Sequence, residues 1–336
     1  MGIISNNRWE WAAIAAASYS LSATLVPMYE AQLPKDWSYI INDSDCSVLF
    51  CSTRDISDRV RGEVLPSAPT VVASLCLDGR VGDEGSFSTA MDRAERRLAD
   101  YEGGGGINGG GADYYGGEGG AGGEGATIAA RSSFIAPPLP EDLANLIYTS
   151  GTTGKPKGVE TLHSNVVSNV KGVRGMVPPP EVTTAFIPQS DRTLAFLPWA
   201  HCYGQTCELW TGMAHGCSMG VGRGVPDLLE DLTLVRPTVL FAVPTLYKRI
   251  YDGVHNAMAN SSDLKRKLMT RALGLGRKNA DHRNGIGSTL NMMERAQFYA
   301  LDSIVLSKIR GRFGGTSSAR HVPVSQLTPE STPNLG

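Results

Sequence analysis

Short apolar runs alternate with helix-patterned stretches from Asn7 to Leu75, and this alternation constrains the fold more than any other feature of the chain. Asn7 stands where it can cap a helix running through Trp9, Trp11 and Ile14 to Ser18. Thr24-Leu25-Val26 then reads as a short strand closed by Pro27. Pro34 opens a second helix carrying Trp37, Ile40 and Ile41, and Ser47 to Phe50 and Thr70 to Leu75 follow as buried strands. Strand, helix and strand at these spacings imply parallel sheet, because two parallel strands must be joined by a crossover. The expected fold class is therefore α/β, with parallel or mixed sheets flanked by helices.

The chain has 336 residues, 41% of them hydrophobic, enough to bury a large core in one large α/β unit or about two domains. A net charge of −2, with lysines and arginines scattered along the chain, gives no basic field for nucleic acid, so no nucleic-acid partner is expected. Six cysteines without a C-x-x-C pair or zinc-ligand spacing read as reduced structural thiols and favour a reducing compartment. No apolar run approaches the ~20 residues of a membrane span, which leaves only peripheral membrane contact. The first residues lack the basic and apolar regions of a signal peptide. The expected location is cytoplasmic or peripherally membrane-associated, on the endoplasmic reticulum or another organelle.

Between Gly103 and Gly125, 14 of 23 residues are glycine, too little apolar surface to offset backbone entropy, so residues 103–125 are expected to form a disordered insertion. Asp142 to Tyr148 is expected as a strand, and Thr161 as the cap of a helix carrying Val166, Val167 and Val170. Thr193 to Leu197 is a further strand ending at Pro198, and Gln205 to Met213 a helix burying Leu209 and Trp210. Thr238 to Val243, bracketed by prolines, reads as the clearest buried strand of all, followed by a helix with Leu246, Ile250 and Val254 on one face. Asp263 to Gly276 is a helix whose basic residues, Lys265, Arg266, Lys267 and Arg271, form a solvated face.

Between the strand at Tyr148 and the helix near Thr161 lies the run Tyr148-Thr149-Ser150-Gly151-Thr152-Thr153-Gly154-Lys155-Pro156-Lys157-Gly158. Its glycines let backbone N–H groups approach an anion, and its hydroxyls with Lys155 and Lys157 add donors and positive charge. Strand, glycine loop and helix would together make an anion site. A nucleotide-binding P-loop needs four residues between its first glycine and its Gly-Lys pair, whereas Gly151 and Gly154-Lys155 are separated by two. A second constellation, Phe196-Leu197-Pro198-Trp199-Ala200-His201-Cys202-Tyr203-Gly204, sets an imidazole at the carboxyl end of a strand, where α/β sheets place ligands. On its residues alone, His201 reads as a histidine packed against Trp199 or Tyr203.

The Tyr148–Gly158 run resembles the phosphate-loop signature of adenylate-forming, AMP-binding enzymes, the superfamily of acyl-CoA synthetases, luciferases and peptide-synthetase adenylation domains. Leu197-Pro198-x-x-His201-x-x-Gly204 is similar to the aromatic motif of acyl-CoA synthetases, and its continuation through Gln205-Thr206-Cys207-Glu208-Leu209 resembles the long-chain fatty acyl-CoA synthetase branch. Asn6 to Trp11, Val26 to Tyr29, Phe241 to Asp252 and Leu306 to Gly315 agree with that branch, so the resemblance spans nearly residues 2 to 315. It implies the large N-terminal domain of such an enzyme, acting as an ATP-dependent long-chain fatty acid–CoA ligase on fatty acid, ATP and coenzyme A, with Mg²⁺. By resemblance, Thr149, Ser150, Gly151, Thr152, Thr153, Gly154, Lys155 and Lys157 hold the triphosphate, and His201 lies beside the acyl carboxylate. Trp199 and Gly204 support it, and His163 is read as supporting a helix start.

The chain departs from the family pattern after Gly315. It carries no Tyr-Gly-x-Thr-Glu segment, no Thr-Gly-Asp segment and no small C-terminal domain with a catalytic lysine. The expected organisation is a partial large domain over residues 1–315 and an unstructured Ser/Thr/Pro-rich tail over residues 316–336. The chain reads as the central part of a larger enzyme, either an incomplete or frame-shifted fragment, a truncated nucleotide- or acyl-binding protein, or a half completed by another chain. Little or no thioester formation is expected from residues 1–336 alone.

Overall fold

The computed structural model describes residues 1–103, 137–149, 155–175, 190–283, 285, 287–312 and 314. It divides into two compact units, Met1–Lys171 with Pro198–Cys202, and Gly172–Leu197 with Tyr203–Gly336. The glycine-rich segment, apart from Gly103, and the 316–336 tail lie outside the described residues.

The first unit is built on a four-stranded parallel sheet ordered β2-β1-β3-β4, from β1 (Gly2–Ile4), β2 (Val26–Met28), β3 (Val48–Cys51) and β4 (Ala73–Cys76). The helices α1 (Trp9–Ser20), α2 (Pro34–Asp43) and α3 (Arg54–Arg59) connect these strands, as the alternation requires, and α4 (Phe87–Gly103) follows β4. The α2 face expected from the sequence is the one buried, with Trp37, Ile40 and Ile41 all at 0% exposure against Ile4, Val26, Met28 and Leu49. Each such side chain contributes roughly 1.5–3 kcal/mol of burial free energy.

Several local expectations need correction. The first predicted strand shifts from Thr24–Val26 to Val26–Met28 and contains Pro27. Leu25 N–H points to β5 (Leu143–Thr149), donating to Ala144 O, whereas Val26 N–H points to β1, donating to Met1 O. The donor that Pro27 lacks would again face away from β1, so the proline costs this ladder nothing. The strand predicted over Thr70–Leu75 occupies Ala73–Cys76, leaving Val72 at 81% exposure. Asn7 is not the cap of α1: Arg8 occupies that position and makes no side-chain cap. The helix α4 was not anticipated; seven of its 17 residues are charged.

In the second unit β7 (Arg192–Ala195) pairs in parallel with β8 (Ser218–Val221), between a wide helical turn at Gly204–Trp210 continuing into α6 (Thr211–His215) and the helix α7 (Leu228–Val235). The strand predicted over Thr238–Val243 does not form. That segment makes one bridge, Val239 to Thr193, and its apolar side chains pack partly buried beside Leu194, Leu228, Leu232 and Leu246. Burial of an apolar run does not require strand pairing, which is why periodicity misread it. Pro244 starts α8 (Pro244–Ala259), with Leu246 buried and Ile250 packed against the same cluster. The basic helix is α9 (Asp263–Arg283), which buries Ala272 and Leu275 while Lys265, Arg266, Lys267 and Arg271 face solvent, as expected. It packs with α10 (Met292–Leu301), whose start is closed by a reciprocal capping box between Asn291 and Glu294, and α11 (Ser307–Gly311) follows.

Candidate functional site

The described residues of the lysine-bearing run fall in the first unit, as do Pro198–Cys202 of the second constellation, whose Phe196, Leu197, Tyr203 and Gly204 belong to the second unit. The lysine-bearing run is the end of an antiparallel hairpin of β5 and β6 (Lys157–Leu162), paired from Leu143↔Leu162 to Thr149↔Lys157 with a register shift between Leu143 and Asn145. Thr149, Lys155 and Lys157 are exposed around its tip. Ser150, Gly151, Thr152, Thr153 and Gly154 lie outside the described residues.

The flank of this loop corrects the expected strand, loop and helix arrangement. The chain leaves the loop as β6, and α5 (His163–Gly175) begins only after it, about 17 Å of strand beyond Lys157. Thr161 is consequently a strand residue and not a cap, and the Asn165 side chain accepts from Leu162 N at 2.9 Å instead. The positive end of the α5 dipole therefore serves the far end of the hairpin, where His163 N donates to Asp142 O.

Aromatic packing fixes the hairpin. Tyr148 Oη donates to Asp43 Oδ2 at 2.6 Å at the end of α2, and its ring meets Tyr39 edge-on at a centroid distance of 6.4 Å. Burial, followed by the bond to Asp43, holds the Tyr148 phenol above its usual pKa, so it remains the donor in this pair. Lys155 Nζ lies 5.9 Å from the Tyr39 ring centroid, a contact worth about 0.5–1 kcal/mol at an exposed site. Gly158 lies opposite Tyr148, and a Cβ there would stand 3.1 Å from the phenol ring. Gly158→Val is therefore expected to push the Tyr148 ring away from Asp43, at a cost of about 1–3 kcal/mol. A chemical denaturation curve checks this, and an unchanged midpoint would contradict it.

Of the second constellation, Pro198–Cys202 belongs to this unit. Trp199 is 2% exposed and meets the fully buried Trp11 edge-on at 5.5 Å, while its backbone N donates to Asn7 Oδ1 at 2.9 Å. Tryptophan, not histidine, is thus the packed residue: His201 is exposed, its backbone N donating to Pro198 O at 3.0 Å and its Nδ1 3.7 Å from Cys202 Sγ. Trp11 of α1 anchors this segment, and Tyr19, eight residues later on the same helix, donates to Asn145 Oδ1 of β5 at 2.8 Å. Helix rise separates those two anchors by about 12 Å along α1. One rigid helix therefore spaces the imidazole segment and the lysine hairpin.

Sequence reasoning missed Asn7, Asp43 and the Tyr148 hydroxyl. Asn7 stood in a recognised stretch, but its side chain was assigned to the nearest helix; Asp43 showed no signal, since its partner is 105 residues away. Among the described residues no group of three His, Cys, Asp or Glu side chains is arranged to hold a metal. No described helix is long and apolar enough to cross a membrane.

The family model described as AMP-binding enzyme matches residues 1–308. A relative from Arabidopsis thaliana, the peroxisomal long chain acyl-CoA synthetase 7, is 29% identical over 98% of this chain and 41% of its own length. Human long-chain-fatty-acid–CoA ligase 1 is 28% identical over 92% of this chain and 40% of its own length. The chain thus spans about two fifths of the length of the curated relatives it matches. The crystal structure of ATP-bound MatB from Rhodopseudomonas palustris superposes with a TM-score of 0.52 at 21% identity, covering 74% of this chain and 40% of that one, which establishes likeness of fold.

Proposed function

The chain belongs to the AMP-binding enzyme family, and from that membership we propose that it carries the triphosphate- and carboxylate-binding side of an ATP-dependent long-chain fatty acid–CoA ligase. The observation that carries the reading is the exposed hairpin tip with Thr149, Lys155 and Lys157, in a chain whose curated relatives are named for long-chain acyl substrates. In the proposed first half-reaction a fatty acid carboxylate oxygen attacks the α-phosphorus of ATP. The bond to the β-phosphate oxygen breaks, and pyrophosphate leaves with the electron pair. In the second, the thiol of coenzyme A replaces AMP at the acyl carbon and loses its proton.

Lys155 and Lys157 neutralise charge on the β- and γ-phosphates as the leaving group departs, and Thr149, Ser150, Gly151, Thr152, Thr153 and Gly154 are assigned to the same triphosphate. His201 is assigned to the acyl carboxylate, which it orients by hydrogen bonding. Mg²⁺ when bound to the triphosphate supplies further charge neutralisation. Fatty acid, ATP and coenzyme A are the proposed small-molecule partners. The six cysteines, none of them in a disulfide, support a reducing location, cytoplasmic or peripheral to an organelle membrane.

The test is exchange of labelled pyrophosphate into ATP by the purified chain with a long-chain fatty acid. Label appearing in ATP only when the fatty acid is present is the expected result. Saturable ATP binding without exchange would replace this reading with that of a nucleotide-binding module, because binding alone cannot release pyrophosphate.

A further inference from the structure

Asn7 lies in the loop between β1 and α1, where neighbouring loops from the carboxyl ends of the sheet converge, the end at which α/β sheets hold ligands. On one side of it, Asn6 is fixed twice by Glu30 after β2, its backbone N donating to Oε1 at 2.7 Å and its Nδ2 to Oε2 at 2.8 Å. On the other side, Arg8 donates two bonds of 2.8 Å to Glu10, one of 2.9 Å to Asp78 after β4 and one of 3.2 Å to Ser52 O after β3. Asn7 is thus flanked on both sides by residues held to neighbouring loops. Its amide oxygen accepts from the backbone N of Trp199, two residues before His201.

The geometry points to Asn7 as a positioning residue that sets the imidazole of His201. The inference rests on the proposed role of His201 for its catalytic consequence. Among the contacts that seat the 198–202 segment in this unit are the Trp11–Trp199 ring contact and the Asn7–Trp199 bond. The ring contact joins side chains, whereas the bond to Asn7 holds the backbone itself. That backbone bond falls inside the turn that His201 N closes onto Pro198 O. A directional bond to an acceptor so flanked is what sub-ångström placement of an orienting group requires.

The experiment compares Asn7→Leu, which keeps volume and removes the acceptor, with Asn7→Asp, which keeps an acceptor oxygen. The full chain is used, and the His201 ring signal is assigned among the six histidines by its loss in His201→Gln. In Asn7→Leu the His201 ring resonance is expected to move and the Trp199 amide to exchange about tenfold faster or more, with both restored in Asn7→Asp. Fatty-acid-dependent pyrophosphate exchange should fall about 10- to 100-fold in Asn7→Leu while ATP affinity stays within error. Unchanged ring and amide signals in Asn7→Leu overturn the inference. So does an equal loss of melting temperature, ATP affinity and exchange in both variants, the signature of a merely structural residue. If wild-type exchange is absent, or His201→Ala leaves it unchanged, the functional reading fails, while the ring and amide signals still decide the placement of His201 by Asn7.

Discussion

Trp199→Ala is expected to lower the stability of the first unit by about 3–5 kcal/mol, the usual cost of emptying a tryptophan site that cannot collapse. Trp199 is almost fully buried and its edge contact is with Trp11, itself at 0% exposure on the rigid helix α1. Neither neighbour can relax far into the void, since α1 is also held through Tyr19 to β5. Urea denaturation followed by tryptophan fluorescence and by circular dichroism checks the size of the loss. Trp199→Phe should recover much of it, because a phenyl ring keeps part of the edge contact. A midpoint for Trp199→Ala within error of wild type would show that the segment contributes little to this unit, and the argument for a fixed His201 would go with it.

The double substitution Lys155→Ala and Lys157→Ala is expected to act on ligand binding and hardly at all on folding. Both ammonium groups are exposed at the hairpin tip, and neither enters an ion pair among the described residues. Their removal should change stability by no more than about 0.5–1 kcal/mol, most of it the Lys155–Tyr39 contact. A charged hydrogen bond to phosphate is worth about 1.5–3 kcal/mol, so each lost lysine should weaken ATP about 10- to 100-fold. The ATP affinity of the wild type should also fall with added salt more steeply than that of the double variant. An ATP titration beside a melting curve separates the two effects. ATP affinity within about threefold of wild type would remove these lysines from the triphosphate site.

How much of this was legible in advance can be traced through particular residues. Trp37, Ile40 and Ile41 announced a buried helix face because the spacing of large apolar side chains is itself the cause of burial. The lysines and glycines of the loop were equally plain, since chemical type and order do not depend on the fold. Asn7 was misread because a capping residue and a long-range acceptor look identical in sequence. Thr161 failed for a related reason: the alternating run Gly158-Val159-Glu160-Thr161 had a strand partner in β5, and pairing with it delayed the helix to His163.

The sequence by itself determined that strands and helices alternate, that the first sheet is parallel, and which residue types stand in the two motifs, because those properties follow from local spacing and chemistry. Only the tertiary structure decided that Trp199 is buried while His201 faces solvent, that α1 spaces the two motifs, and that the Asn7 oxygen serves a backbone N–H 192 residues away. A buried donor must find an acceptor, and which one it finds depends on what folding brings within about 3 Å, a distance that separation along the chain does not encode.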